Sequence, residues 1–293
     1  MELVHKPFTK ILVDGGDPEE TKRVETLLGF QIDGQTTNPT LISRNPEIAA
    51  LVASGHRLSK AEEDAEYKKI VQSLSPLVGD AGVSIEVFSD FETTAEQMIA
   101  EAHEKNSWIP NAYIKFPTTA AGLAAAASVT KEGIRVNMTL CFSQQQAAAV
   151  YAATKGATHP VFVSPFIGRL DDTGKNGMDL IRNIKKMFAP ENGSDGHVKI
   201  LAASIRSIDH FMATLSYKSD LATVPVKILE AWQQKNFILP EDGYVYPSGA
   251  LAQIPYEEVS LDKTWQEYDI QSELTVQGIQ KFVADYKSTL QPE

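Results

Sequence analysis

The sequence predicts an α/β fold in which eight strands close into a single-domain (β/α)8 barrel, and three observations carry that prediction. Short β-rich segments alternate with helical ones along most of the chain, the pattern of parallel strands joined by crossover helices. Eight strand-then-helix units can be counted in 293 residues, which fits a closed TIM-type barrel better than an open doubly wound sheet. No glycine-rich phosphate loop supports the open sheet. Gly15-Gly16, after the first strand, has neither dinucleotide nor P-loop spacing and reads as turn chemistry.

Taken in order, the first strand is Lys10 to Asp14, followed by Asp17 as a helix cap, Pro18 as the first helical residue and two glutamates in the first turn. The second runs from Phe30 to Thr36 and ends in Thr37-Asn38-Pro39. Asn45-Pro46-Glu47 then opens one helix, and Lys60 to Ser75 reads as an exposed amphipathic helix, its acidic run Glu62-Glu63-Asp64 on a solvated face. Val83 to Val87 is the third strand, and Tyr113 to Phe116 the fourth. Pro117 closes the fourth because it cannot donate to the ladder, and the alanine-rich run Ala120 to Val129 makes a helix. Arg135 to Cys141, Pro160 to Pro165, Lys199 to Ser204 and Leu221 to Pro225 complete the set, with Ser143 and Ser207 at helix starts. Residues 237–273, with Pro240, Gly243, Pro247, Gly249 and Pro255 among aromatics and acids, differ in kind. They predict a long ordered excursion over one barrel face rather than a second domain, before a final helix over 274–290.

Composition narrows the function classes. With 43% hydrophobic and 22% charged residues the chain can bury a large core. A net charge of -11 and a pI near 5.1 argue against a broad nucleic-acid or acidic-membrane surface. A small anionic substrate needs only a local pair of basic groups. The single cysteine, Cys141, excludes a disulfide framework and suits a cytoplasmic setting, while the opening residues lack a signal-peptide pattern and no apolar run approaches a membrane span. The six histidines show no metal-ligand spacing and read as structural or solvated, so no metal site is expected from them.

A barrel collects its chemistry at the carboxyl ends of its strands. Those ends carry Asp14, Asn38, Glu86, Lys115, Asn137 with Thr139, Ser164 with Arg169, and Ser204 with Arg206. Lys115 and Glu86 are charges inside apolar strands, which are rare unless paired or functional. A lysine stripped of water there should lose its proton more easily and could attack a carbonyl to form a Schiff base; the ordinary alternative is a buried stem with a solvated head. Arg169 and Arg206 could clamp a phosphate, helped by Ser204 and by a helix start near Ser207, or could form surface ion pairs with Asp171 or Asp209.

Four segments, Asp33 to Ile42, Ile114 to Thr119, Val136 to Ala147 and Val163 to Asp172, together resemble the transaldolases, Schiff-base aldolase-fold enzymes related to the fructose-6-phosphate aldolases. The likeness runs from about Lys10 to Pro225, with a weaker echo in the terminal LTVQGIQKFVADY (274–286), and does not extend to the excursion. It implies a covalent role for Lys115 and acid–base work by Asp14. Glu86 and Thr139 would hold a proton-shuttling water, Asn38, Asn137 and Ser164 would grip the dihydroxyacetone end of a sugar, and Arg169, Ser204 and Arg206 would hold its phosphate. The aldolase branch has Gln at the position of Glu86 and Tyr at that of Phe166, so both residues here favour transfer over release. The resemblance therefore implies transfer of a dihydroxyacetone unit from a ketose phosphate such as sedoheptulose 7-phosphate or fructose 6-phosphate to an aldose phosphate, with neither a metal nor an organic cofactor. The alternatives are an aldolase releasing free dihydroxyacetone, a relative acting on another anionic sugar, and a catalytically silent binding barrel. Subunit number is left open, with a homo-oligomer among the outcomes.

Overall fold

The computed structural model describes residues 6–291. Its eight parallel strands close into one barrel in chain order: β1 (Lys10–Asp14), β2 (Gly34–Thr36), β3 (Gly82–Glu86), β4 (Ala112–Pro117), β5 (Val136–Cys141), β6 (Val161–Pro165), β7 (Val198–Ala202) and β8 (Leu221–Val224). The helices that follow β1 to β4 are α1 (Pro18–Leu28), then α2 (Pro39–Ser43), α3 (Pro46–Ala53) and α4 (Lys60–Leu74), then α5 (Ala95–Asn106), then α6 (Ala120–Val129). After β5 come α7 (Gln144–Ala153), after β6 α8 (Ile167–Asp172) and α9 (Gly177–Met187), after β7 α10 (Ile208–Ser216), and after β8 α11 (Val226–Gln234) and α12 (Glu273–Lys287). The helix starts follow their capping residues: Asp17, Asn45, Thr119, Ser143 and Ser207 each accept a backbone N–H of the first turn.

Strand period divides the barrel into three shells. Side chains pointing outward, such as Ile114 and Phe116, join the large apolar core under the helices. Inside, a separate apolar cluster of Leu12, Ala81, Tyr113, Phe162, Leu201 and Leu221 plugs the base, with Tyr113 and Phe162 stacked at 4.2 Å. Two residues further along the same strands, on the same face, stand Asp14, Lys115, Ser164 and Thr223. The polar layer thus sits on a hydrophobic floor, at the carboxyl end of the strands.

Two expectations need correction. The second strand begins at Gly34 rather than Phe30. The Asp33 carboxylate takes the Ile11 N–H at 2.9 Å and also receives Lys6, so its side chain takes part in the pairing just where the ladder begins. A Cβ at Gly34 would lie 2.7 Å from the Gly82 carbonyl oxygen, which explains the glycine at that close approach. Glu63 is not on a solvated face: it is buried on the stripe with Tyr67, Ile70, Val71 and Leu74, at the helical spacing that turns one side of α4 inward. Opposite lies Lys105, itself buried, paired with Glu101 at 3.0 Å and set over the rings of Tyr67 and Trp108.

The excursion, residues 235–272, carries little regular structure and runs over the outer faces of α10, α9 and α7. Ser216 Oγ donates to the Tyr244 carbonyl at 2.8 Å, Asn183 to that of Ile254 at 2.9 Å, and Gln144 to that of Glu257 at 3.0 Å. α12 then turns back over the barrel mouth, where Thr275 donates to the Leu140 carbonyl at 2.9 Å and Thr40 donates to Asp285. Leu140 adopts a positive φ of 57° at an irregularity between Met138 and Cys141, so β5 bends directly under this helix. No helix among the described residues is long and apolar enough to cross a membrane.

Burial pushes the Glu63 carboxyl up to about 7 despite Lys105. A carboxyl raised on folding binds its proton more tightly in the native state, so stability falls as pH rises from the unfolded value of about 4.5 through 7. Glu63→Gln should therefore be more stable than the parent at pH 8, by up to about 3 kcal/mol, and should lose that advantage below about pH 5. Urea unfolding at both pH values measures the difference; an equal effect at both would contradict the burial account.

Candidate active site

The cavity at the carboxyl end of the barrel has a volume of about 210 Å³. Of the residues expected there, Asp14, Asn38, Lys115, Thr139, Ser164, Phe166, Arg169, Ser204 and Arg206 line it. Glu86 and Asn137 do not. They stand on β3 and β5, in register with Lys115 on either side, and are buried behind the lining.

Lys115 is 3% exposed, and its Nζ lies 3.0 Å from Glu86 Oε2 and donates to the Thr37 carbonyl at 3.1 Å. Tyr67 supports both neighbours: its hydroxyl accepts the Glu86 N–H at 2.9 Å and meets the Thr37 hydroxyl at 2.5 Å. Burial raises the Glu86 carboxyl, opposed by Lys115. Only three buried side-chain polar atoms among the described residues lack a hydrogen-bond partner, and two are Glu86 Oε2 and Thr139 Oγ1. Glu86 Oε2 touches Nζ as an ion pair without hydrogen-bond alignment. Buried polar atoms are seldom left unpaired, and here the unused capacity lies beside the lysine.

On the opposite side, Asp14 accepts from Thr36 at 2.9 Å, and Thr36 meets Thr223 at 2.6 Å. Burial raises the Asp14 carboxyl, with Lys115 and the Thr36 hydrogen bond opposing. Asn38 caps α2 by accepting the Leu41 N–H at 3.0 Å, which leaves its amide hydrogens for the cavity. Asn137 accepts from Ser164 at 2.7 Å and donates to Ser84 at 3.0 Å, so it orients Ser164 from behind.

The two arginines differ. Arg169 has no carboxylate within 4.0 Å among the described residues; its guanidinium sits between the rings of Phe166 and Phe282, 5.5 and 5.7 Å from their centres. Burial and the charge of Arg206 hold its pKa below the ordinary value. Arg206 is half exposed and pairs with Asp172 at 2.8 Å, not with Asp171 or Asp209. Close packing sets both: a Cβ at Gly168 would come within 2.5 Å of Arg206 Cγ, and one at Gly278 within 2.8 Å of Arg169 Nη1. A half-buried cation without a counter-ion, next to a second cation, favours an anionic ligand.

A sequence profile of the transaldolase/fructose-6-phosphate aldolase family matches residues 11–292. The chain belongs to this family. A probable transaldolase of Heliobacterium modesticaldum is 42% identical over 75% of this chain and 87% of its own length. Those of Dehalococcoides mccartyi and Caldicellulosiruptor saccharolyticus are 38% and 39% identical, over 77% and 75% of this chain and 90% and 88% of their own.

In this family member, Thr36, Arg44, Thr223, Lys281 and Phe282 also line the cavity, although the sequence reading did not single them out. Thr36 and Thr223 share the inward parity of Asp14 and could have been found from the period of two. Lys281 and Phe282 arrive on α12 from far along the chain, a placement that no local pattern announces. Cys141 is a core residue whose thiol burial pushes up to about 12, far from a reactive thiolate.

Because no carboxylate among the described residues lies within 4.0 Å of Arg169, inorganic phosphate should raise the melting temperature in a saturable way, by the amount a ligand at 100 times its Kd allows, about 2.7 kcal/mol. Arg169→Gln should lose most of that gain while melting no lower in anion-free buffer. Scanning fluorimetry across a phosphate series, at constant ionic strength, separates this from general salt effects.

Proposed function

We propose that the protein is a transaldolase that moves a dihydroxyacetone unit from a ketose phosphate to an aldose phosphate through a Schiff base on Lys115. The observation that carries the reading is the buried Lys115–Glu86 contact, opening on a cavity whose far wall presents Arg169. An amine must be deprotonated to attack a ketone, and a carboxylate in contact with it can accept that proton in a dry site. Attack on the sugar C2 followed by loss of water gives the iminium. Glu86 and the free Thr139 hydroxyl would handle the proton transfers that water loss and its reversal require. Asp14 would take the proton of the C4 hydroxyl as the C3–C4 bond breaks, its raised pKa suiting it to accept and return a proton. The three carbons left on Lys115 form an enamine, which adds to the aldehyde of the second substrate; hydrolysis then frees the lysine.

Asn38 and Ser164 would hold the hydroxyls of the C3 unit, with Asn137 orienting Ser164. Arg169, Ser204 and Arg206 would hold the phosphate. Glu86 and Phe166 support transfer rather than release of dihydroxyacetone. A cytoplasmic setting goes with this reading, supported by the lone buried thiol, and the partners are sugar phosphates.

Borohydride reduction with fructose 6-phosphate should leave a sugar adduct on the peptide carrying Lys115; mass analysis without such an adduct would sink this reading and favour a silent barrel. Free dihydroxyacetone should stay near background without an acceptor, while product forms once erythrose 4-phosphate is added. Steady release without an acceptor would assign the chain to the aldolase branch instead.

A further inference from the structure

The excursion has no part in the chemistry above, yet three side chains connect it to Arg206. The Arg206 backbone N–H donates to His210 Nδ1 at 3.2 Å. That bond fixes the tautomer, since an accepting Nδ1 leaves the proton on Nε2, which lies 2.9 Å from Asp171 Oδ2. The same oxygen accepts the Tyr246 hydroxyl at 2.6 Å, while Oδ1 takes the Gly177 N–H at 2.8 Å. The Tyr246 ring stacks on His210 at 4.8 Å. Tyr246 is in turn anchored, its N–H donating to the Tyr217 hydroxyl at 3.0 Å, and the nearby Tyr244 hydroxyl donating to Asp209 at 3.0 Å.

The segment these contacts hold is one that needs holding. Ser204 sits at a φ of 60°, a region that a non-glycine residue occupies only when its surroundings impose it. Its carbonyl accepts the Gly168 N–H at 3.1 Å, which fixes one end of the loop; the His210 bond fixes the other, at Arg206 itself. The Arg206 side chain is half exposed and its only ion-pair partner among the described residues is Asp172 on the surface, so the direction of the guanidinium depends on where the backbone starts. Burial lowers the His210 pKa, with Asp171 opposing, which favours the neutral ring that can accept from Arg206.

We infer that Tyr246, Asp171 and His210 are positioning residues that aim Arg206 at the anionic end of the substrate, and that the excursion thereby tunes substrate affinity from outside the barrel. This rests on the reading of Arg206 as an anion-binding group. None of the three contacts the reacting carbons, so they act on binding of the phosphate and not on the lysine chemistry.

Tyr246→Phe tests this with little disturbance, because it keeps the stacked ring and removes one hydroxyl. It should raise KM for fructose 6-phosphate and the inhibition constant of inorganic phosphate together, roughly three- to tenfold, the scale of one weakened hydrogen bond to a charged group, with kcat within about twofold. In an Arg206→Gln background the same change should add nothing, since coupled residues do not act independently. His210→Asn, whose amide oxygen can take the place of Nδ1, should keep more phosphate affinity than His210→Gln. Unchanged KM and phosphate inhibition in Tyr246→Phe, or full additivity with Arg206→Gln, would overturn the inference while leaving the clamp intact. Should Arg206→Gln itself leave both constants unchanged, the clamp reading fails first and takes the inference with it.

Discussion

A lysine and a glutamate held 3.0 Å apart inside the barrel set the terms for the rest of the molecule. Taking either charge out of water alone costs several kcal/mol, and their mutual attraction offsets that only if the geometry is fixed. The barrel fixes it. Glu86 and Lys115 are register partners on adjacent strands, so the pair is set by backbone hydrogen bonds rather than by flexible side chains. Tyr67 holds the backbone of Glu86 and the hydroxyl of Thr37, whose carbonyl receives the lysine. Buried Lys105 donates to the Glu86 carbonyl at 3.1 Å from the other side. The apolar floor beneath, with Tyr113 stacked on Phe162, lowers the local dielectric and so strengthens the charge interactions above it.

Much of this was legible in the chain before folding. Most strands announced themselves by a short apolar run, and Asp14, Lys115 and Ser164 by standing two places beyond an apolar residue, Leu12, Tyr113 and Phe162. Depth was not legible. Parity says that Glu86 and Asn137 point inward, but not that they stand behind the lining. The extent of β2 was misjudged because an acidic side chain, Asp33, takes a place in the backbone pairing. Glu63 looked solvated because the buried Lys105 whose charge it feels is contributed by another helix; only its spacing with Tyr67 and Ile70 marked it as buried. Lys281 and Phe282 lay beyond local reach altogether, since their place at the mouth depends on the path of a segment that hardly forms secondary structure.

That path joins the late part of the chain to the site in two ways. The excursion braces the β7–α10 loop from outside, and α12 lays an aromatic ring against Arg169 from above. The arginine-bearing end of the cavity is therefore made partly from residues that play no part in closing the barrel.

The order of these elements along the polypeptide has a bearing on biosynthesis. All eight strands precede α12, so they leave the ribosome before it does. A nascent polypeptide long enough to close its sheet still lacks Phe282 and Lys281, so the guanidinium of Arg169 stays open to water on one face until translation has passed them. Completion of the cavity wall is thus tied to translation beyond the scaffold, and an interrupted product would carry Lys115 under an unfinished roof.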